Sequence, residues 1–116
     1  MSLVKLTNFE CHYEFENFGH DQVIIFSNSL GTDFSMWEKQ VDILSHHFNI
    51  LSYDTRGHGL STNDKEALTI AELGQDVIEL LDHLQLEKVT FCGLSMGGLI
   101  GQWLGINHPK RFEKII

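Results

Sequence analysis

A serine flanked by glycines lies in the last third of this chain, in a setting typical of a nucleophile. Residues 89–98 read VTFCGLSMGG, an apolar segment that runs into the pattern G-x-S-x-G, and a second apolar segment follows at once. In this arrangement Ser95 lies on a sharp turn from strand to helix, which lifts its hydroxyl clear of the sheet. Gly93 and Gly97 leave room for the backbone to cross that turn. The pattern therefore predicts nucleophilic serine chemistry.

Two other glycine-rich motifs are excluded by the residues around Ser95. Gly93 and Gly98 have the spacing of a phosphate-binding loop, but Leu99 and Ile100 stand where that loop needs Lys and Ser or Thr. A dinucleotide-binding fingerprint needs a further glycine at the position of Ser95, so that the backbone can approach the pyrophosphate. We therefore expect no nucleotide at this turn.

Composition limits the partners and the location of the chain. Its 116 residues are enough for one modest domain, and 42% hydrophobic with 21% charged residues is typical of a globular protein. A net charge of −8 argues against nucleic acid and anionic membranes as partners, because both bind basic patches. Residues 1–15 carry no signal peptide, and no apolar run is long enough to span a membrane. These features predict a soluble, cytoplasmic protein.

Metal-binding sites are not predicted from the cysteines or the histidines. Cys11 and Cys92 are far apart and lack zinc-type spacing, which favours free thiols in a reducing compartment. The histidines lack partners at ligand spacing, and no H-E-x-x-H motif is present. His46 and His47 are adjacent, so their side chains point apart. The sequence thus predicts no bound metal ion.

Strands and helices alternate along the chain in a way that would position Ser95. In chain order the predicted strands are residues 4–7, 11–16, 23–26, 48–53 and 88–92. The first two would form an antiparallel hairpin. Two helices are predicted after capping boxes, one at Ser35 with Glu38 and one at Thr69 with Glu72. A third is predicted over residues 96–106, where the sequence is apolar nearly all round, as in a helix packed centrally on a sheet. This alternation implies right-handed crossovers and a mostly parallel α/β sheet.

A polar loop after the fourth predicted strand holds rival catalytic candidates. Residues 54–59 read DTRGHG and lie at the carboxyl edge of the predicted sheet. His58 is the nearest alternative base for Ser95, and Asp54 and Arg56 could serve as triad acid and substrate clamp. The simpler interpretation gives Asp54 and Arg56 turn hydrogen bonds or a local ion pair, and makes the loop a structural brace.

Three segments of the chain resemble 3-oxoadipate enol-lactonases, a family of α/β hydrolases. They are SNSLGTD at residues 27–33 with Met36-Trp37, YDTRGHG at residues 53–59, and FCGLSMGG at residues 91–98 with GQWL at residues 101–104. The most telling feature is Asn28-Ser29, where most α/β hydrolases carry His-Gly. The resemblance implies that residues 1–116 form one partial domain, the amino-terminal half of an α/β-hydrolase fold. It would be truncated after the elbow helix and would lack the cap and the carboxyl-terminal half.

The resemblance also implies a reaction, the hydrolysis of a small carboxylate-bearing enol-lactone to 3-oxoadipate during bacterial breakdown of aromatic acids. Ser95 would be the nucleophile. Backbone N–H groups of Met96 and Leu30 would hold the oxyanion formed on attack, and losing one such donor typically costs about 3–4 kcal/mol. Asn28 and Ser29 would shape the loop of Leu30 rather than touch the reacting carbonyl. No cofactor is implied.

The acid and the base of the catalytic triad are expected to lie outside this chain. In this fold the triad runs Ser, Asp, His along the sequence. His108 is the sole histidine among the 21 residues after Ser95. Helical geometry would carry it about 20 Å from the nucleophile, which is beyond hydrogen-bond reach.

Two classes of function therefore stay open. In the first, the chain belongs to a serine hydrolase of the enol-lactonase type, or to a related carboxylesterase or haloperoxidase-like enzyme. Epoxide hydrolases are disfavoured because their nucleophile is an aspartate.

In the second class of function, the chain is a catalytically inert fragment or an assembly module. The strand at residues 88–92 would then have an open edge, because the next strand begins only near Ile115, and an open edge predicts a dimer or strand exchange.

Overall fold

A computed structural model describes residues 2–63 and 68–116 of the chain. The strands are β1 (Ser2–Lys5), β2 (Glu10–Glu16), β3 (Val23–Ser27), β4 (Asn49–Tyr53), β5 (Val89–Gly93) and β6 (Phe112–Ile115). The α-helices are α1 (Glu38–Leu44), α2 (Ile70–His83) and α3 (Met96–Asn107), and short 3-10 turns cover Phe34–Trp37 and Pro109–Arg111. Among the described residues, no helix is both long enough and apolar enough to cross a membrane.

The described strands join one six-stranded sheet in the order β1-β2-β4-β3-β5-β6. β1 pairs antiparallel with β2, and β2 pairs antiparallel with β4. β3 runs parallel to both β4 and β5, and β5 runs parallel to β6. The predicted α/β class, with a hairpin at its start and a mostly parallel sheet, is confirmed. Because β3, β4 and β5 end at the same edge, the loops that follow them lie side by side there.

Both faces of the central strands are covered, which explains the continuous apolar run of β3. α2 and α3 pack on one face, where Ile25, Leu51 and Phe91 are completely buried. The first 3-10 turn and α1 cover the other face, where the Phe26 ring stacks on Trp37 with centroids 4.8 Å apart. Successive side chains of a strand point to opposite faces, so β3, which is covered on both sides, is apolar at four successive positions, Val23 to Phe26.

The first strand begins and ends two residues earlier than predicted. β1 covers Ser2–Lys5 instead of residues 4–7. A tight turn causes the difference, because Leu6 N–H donates to Phe9 O at 2.9 Å and closes the chain before β2 begins. The hairpin itself is confirmed.

Asp33, rather than Ser35, caps the first helical segment. Its carboxylate accepts a hydrogen bond from Ser35 N–H at 2.9 Å, and the 3-10 turn begins directly after it at Phe34. α1 follows only at Glu38. The predicted capping box at Ser35 and Glu38 is therefore wrong, because the chain is already helical at Ser35.

The second capping box and the third helix are both confirmed. Glu72 N–H donates to Thr69 Oγ1 at 3.1 Å, the Glu72 side chain accepts from Thr69 N–H, and α2 follows. α3 covers Met96–Asn107, close to the predicted residues 96–106. Its outward residues Leu99 and Ile106 are 52% and 79% exposed.

β5 is not an open edge of this sheet. β6 pairs with it in parallel over Phe112–Ile115. Ile116 continues the ladder, because its N–H donates to Phe91 O at 2.8 Å and its carbonyl accepts from Gly93 N–H at 3.0 Å. The prediction of an open edge at residues 88–92 is therefore wrong. On this side the described sheet ends at β6.

Candidate active site

Ser95 occupies the turn between β5 and α3 in a conformation that serine rarely adopts. Its φ is 57° and its ψ is −113°, so the residue lies in the left-handed region. A residue other than glycine costs about 1–3 kcal/mol there, and such strain is concentrated at functional sites. Ser95 is exposed at the carboxyl edge of the sheet and is the N-cap residue of α3. This is the geometry of the predicted elbow.

The glycines that flank Ser95 make this turn feasible. A Cβ atom on Gly97 would lie well inside 3.0 Å of Ser27 O, and one on Gly93 would lie equally close to Gly97 O. Leu94 N–H donates to the same Ser27 O at 3.2 Å, which ties the elbow to the end of β3. The backbone therefore crosses the turn at a distance that only glycine permits.

The two predicted oxyanion donors follow the ends of neighbouring strands. Ser27 and Gly93 are direct partners across β3 and β5, with Leu30 and Met96 three residues beyond them. Met96 begins α3, where backbone N–H groups lack a helical partner and favour negative charge. Within the described residues neither the Met96 N–H nor the Leu30 N–H donates a hydrogen bond. The catalytic roles of Ser95, Met96 and Leu30 stay predictions.

Asn28 fixes the start of the loop that carries Leu30. Its side chain is completely buried. Asn28 Nδ2 donates to Tyr53 O at 3.0 Å, and Asn28 Oδ1 accepts from Trp37 Nε1 at 2.9 Å. Asn28 therefore joins the end of β4 to the 3-10 turn and shapes the loop, as predicted.

Asp54 fixes the other end of that loop. Its Oδ1 accepts from Phe34 N–H at 3.0 Å, and its Oδ2 accepts from Leu60 N–H at 3.0 Å and lies 2.8 Å from His12 Nδ1. Asp54 and His12 are both buried, and the His12 ring stacks on the Phe34 ring. The end of β4 therefore clamps residues 28–33 on both sides. Sequence reasoning missed His12, because 42 positions separate it from Asp54.

Arg56 forms a buried ion pair with Asp76. Its Nε and Nη2 donate to the two carboxylate oxygens of Asp76 at 3.0 and 2.6 Å, and its guanidinium lies 5.2 Å from the centroid of the Phe9 ring. Burial raises the pKa of Asp76 to about 6, although Arg56 opposes the rise. His58 Nδ1 lies 3.2 Å from Arg56 O. Asp54 and Arg56 thus brace the fold, as the simpler interpretation of this loop predicted.

Asp76→Asn is expected to destabilise the chain by about 3–5 kcal/mol, because it leaves the buried Arg56 guanidinium without its principal counter-charge. Urea unfolding followed by circular dichroism measures this loss. Asp82→Asn is the matched control, since Asp82 pairs with Arg111 at 2.8 Å on the surface, where ion pairs contribute under about 1 kcal/mol. Equal losses for the two variants would contradict a special role of the buried pair.

Asn28→Ala is expected to lower the free energy of unfolding by about 2 kcal/mol or more, because Trp37 Nε1 and Tyr53 O lose a buried partner. The indole N–H signal of Trp37 in the proton NMR spectrum should shift with it. Ser29→Ala is the control, since the Ser29 hydroxyl makes only a 3.7 Å contact with Met36 Sδ. Its effect should stay within about 0.5 kcal/mol. A larger loss in the control would argue against a specific clamp by Asn28.

A family model of the alpha/beta hydrolase fold matches residues 22–116, which is most of the chain. The chain belongs to this family of α/β hydrolases. It is 54% identical over 93 residues to 3-oxoadipate enol-lactonase 2 of Acinetobacter baylyi, an alignment that covers 80% of this α/β hydrolase and 35% of that protein. The predicted resemblance to the enol-lactonases is thus confirmed.

Two solved structures are similar to this α/β hydrolase along nearly its whole length. The enol-lactonase from Burkholderia xenovorans is 46% identical with a TM-score of 0.94, and the match covers 98% of this chain and 45% of that one. A hydrolase from Pseudomonas aeruginosa is 39% identical with a TM-score of 0.92, and that match covers 98% of this chain and 43% of the hydrolase. This α/β hydrolase therefore spans about a third of the length of the curated relatives it matches.

Neither His108 nor His12 lies within hydrogen-bond reach of Ser95 in this α/β hydrolase. His108 is the C-cap of α3, so the helix separates it from Ser95 by about 20 Å. The His12–Asp54 pair has the right chemistry, but its strand β2 is separated from β5 by β4 and β3. Three strand spacings of about 4.8 Å place this pair about 14 Å away across the sheet. The pair therefore braces the loop.

Proposed function

We propose that this chain supplies the nucleophile and the oxyanion donors of a serine hydrolase of the 3-oxoadipate enol-lactonase type. The observation that carries the proposal is the exposed Ser95, held at φ 57° on the turn from strand to helix. The 54% identity to 3-oxoadipate enol-lactonase 2 supports the substrate class. The substrate is then a small enol-lactone that carries a carboxylate.

In the first half of the reaction, Ser95 Oγ attacks the lactone carbonyl carbon and its proton passes to a base. The carbonyl oxygen becomes an oxyanion, which accepts hydrogen bonds from the N–H groups of Met96 and Leu30. The start of α3 adds its dipole to this stabilisation. The bond from the acyl carbon to the ring oxygen then breaks, and the ring oxygen leaves as an enolate. The enolate takes up, on carbon, the proton that the base received from Ser95, and the former ring oxygen becomes the 3-oxo group.

In the second half, water attacks the ester on Ser95. The acyl–oxygen bond breaks, the Ser95 hydroxyl is restored, and the acyl group leaves as the second carboxylate of the product. The same two N–H groups hold the oxyanion of this step. Because donors of this kind act only when they are held in place beforehand, the clamp of Asn28 and Asp54 on the Leu30 loop has a direct catalytic purpose.

The histidine and the aspartate of the triad come, in this proposal, from a part of the hydrolase fold that residues 1–116 do not contain. A free serine hydroxyl is a poor nucleophile without its base. The second candidate function follows from the same point: the 116-residue chain by itself is catalytically inert. Among the residues described, the separation of both His12 and His108 from Ser95 favours it.

A chimaera tests the proposed function. Residues 1–116 are fused to the part of the Acinetobacter baylyi enol-lactonase that follows the matched segment, and hydrolysis is compared for a carboxylate-bearing enol-lactone and its uncharged methyl ester. We expect a preference of about 10²-fold for the carboxylate. A fluorophosphonate should add to Ser95, as read by intact mass and peptide mapping. The unfused chain should label at background level.

The outcomes separate the candidates. A folded chimaera that prefers uncharged esters would make the protein another carboxylesterase. A folded chimaera without an adduct on Ser95 would overturn the assignment of the nucleophile.

A further inference from the structure

Tyr53 binds two consecutive residues at the end of β3. Its hydroxyl forms a hydrogen bond of 2.7 Å with Ser27 Oγ, and its carbonyl accepts from Asn28 Nδ2 at 3.0 Å. Tyr53 is 2% exposed, and Ser27 and Asn28 are completely buried. Hydrogen bonds that are shielded from water in this way are stronger than exposed ones. A single residue of β4 therefore fixes both Ser27 and Asn28.

Ser27 is the residue on which the elbow rests. Its carbonyl accepts the hydrogen bond from Leu94 N–H, and a Cβ on Gly97 would lie 3.0 Å from Ser27 Cβ. Interiors that are packed this closely transmit a displacement to their neighbours. A shift of Ser27 therefore moves the start of α3, and Met96 begins that helix.

The side chains beneath the start of α3 become smaller towards the elbow. Tyr13 and Tyr53 are direct partners across β2 and β4, and Ser27 and Gly93 are direct partners across β3 and β5. α3 packs on β3 and β5, at the end of this row with the small residues. The bond to the Tyr53 hydroxyl holds the Ser27 hydroxyl towards β4. The space above Ser27 thereby stays free for the backbone of Gly97.

We propose that Tyr53 is a positioning residue of the hydrolase, which sets the spacing between the elbow and the loop that carries Leu30. The inference rests on the proposed function and deepens it. Through Ser27, Tyr53 fixes the turn that leads to Met96. Through Asn28 it fixes the loop that leads to Leu30. Two N–H groups stabilise one oxyanion only when both lie about 2.7–3.1 Å from it at the same time.

The hydroxyl of Tyr53 acts as a fixed hydrogen-bonding group and not as an acid or a base. Burial raises the pKa of Tyr53 above its ordinary value, and the nearby Cys11 and Asp76 add to the rise, although the bond to Ser27 opposes it. The phenol therefore keeps its proton between about pH 6 and pH 9. Removing the hydroxyl should lower the rate by the same factor across this range, whereas losing a general base would change the pH profile.

Nuclear magnetic resonance of the 116-residue chain tests the anchoring role directly. Tyr53→Phe removes the hydroxyl and keeps the ring that packs in the core, so ring-current effects are retained. We expect the backbone amide signals of Leu94 and Met96 to shift, because the residue that supports the elbow loses its lateral bond. Ser27→Ala removes the other hydroxyl of the same bond and should shift the same two signals.

Tyr13→Phe is the matched control. Tyr13 is the direct strand partner of Tyr53, and within the described residues its hydroxyl forms no hydrogen bond. The same change of side chain should therefore leave the amide signals of Leu94 and Met96 in place. Circular dichroism establishes that each variant is folded.

Kinetics of the chimaera connect this anchor to catalysis. Tyr53→Phe and Ser27→Ala should each lower kcat about tenfold, which is less than the roughly 10²-fold loss when a whole donor is removed. KM should stay within about twofold, because the oxyanion is absent from the bound substrate. The two hydroxyls form one bond, so the double variant should be no slower than the slower single variant. Tyr13→Phe should keep the parent kcat.

Each result has a distinct meaning. Amide signals that stay in place in both Tyr53→Phe and Ser27→Ala would overturn the proposal. So would an unchanged kcat in an active chimaera, losses that multiply in the double variant, or a loss that varies with pH. A folded parent chimaera that does not hydrolyse the enol-lactone, while the amide signals of the chain shift as expected, would support the anchor and overturn the proposed function instead.

Discussion

Gly97→Ala should destabilise this α/β hydrolase by about 3 kcal/mol or more and disrupt the elbow, because the new methyl group would overlap the carbonyl of Ser27. That carbonyl cannot move away freely. Ser27 is completely buried at the end of β3, and its oxygen already accepts the hydrogen bond from Leu94 N–H. The clash is between a Cβ, whose position the backbone fixes, and a backbone carbonyl, so no change of side-chain rotamer relieves it. Urea unfolding and hydrogen exchange of the α3 amides measure the loss.

Gly98→Ala is the matched control for this prediction. It introduces the same methyl group one residue later, where the nearest atom is Gly93 O at 3.8 Å. Alanine is favoured over glycine inside a helix by about 0.5–1 kcal/mol, so this variant should be neutral or slightly more stable. Similar losses at Gly97 and Gly98 would show that the tight crossing against β3 does not exist.

Ser95→Ala should reduce turnover of the chimaeric hydrolase by about 10⁶-fold, because removing a serine nucleophile leaves only the oxyanion donors and substrate binding. The measurement is kcat/KM for the enol-lactone, with intact mass to show that the fluorophosphonate adduct is lost. Residual turnover within about 100-fold of the parent would contradict the role of Ser95.

The strain at Ser95 gives this prediction a second, independent readout. Ser95→Gly should stabilise the folded chain by about 1 kcal/mol, because glycine adopts φ 57° without cost, while activity is lost as completely as in Ser95→Ala. Such opposite changes in stability and activity are expected only where the backbone is strained for function. A loss of stability in Ser95→Gly would contradict this account.

Leu30→Ala and Met96→Ala are the controls for the oxyanion donors. In the proposed mechanism both donors are main-chain N–H groups, so these substitutions should reduce turnover far less than Ser95→Ala. A loss as large as that of Ser95→Ala would mean that the side chains themselves contact the reacting carbonyl.

The elbow was predictable from the sequence because its requirements are local. Gly93, Ser95 and Gly97 satisfy the backbone conformation and the close crossing within five residues, and the apolar runs on either side identify a strand and a helix. The capping box of Thr69 and Glu72 was predictable for the same reason, since its hydrogen bonds span three residues. The buried strand β3 followed from its continuous apolar run.

The clamp on the loop that carries Leu30 was decided by the tertiary structure alone. Asp54 binds Phe34 N–H and thereby helps to begin the 3-10 turn after Asp33, so a contact across twenty positions competes with the local preference of Ser35 to cap. His12 joins Asp54 only because β2 and β4 are neighbours in the sheet. No spacing between residues in the sequence indicates that these two strands are neighbours.

The edge of the sheet was likewise settled by long-range packing. The chemistry of Ser95 depends on its own turn, whereas the pairing of β6 with β5 depends on how the chain returns after α3. Backbone N–H and C=O groups are the same in every residue, so hydrogen bonding alone does not specify which strands meet. The sequence by itself determined the turn that holds Ser95 and the strand and helix around it. The three-dimensional packing of side chains on the two faces of the sheet decided which strands are neighbours, and therefore which polar groups surround that turn.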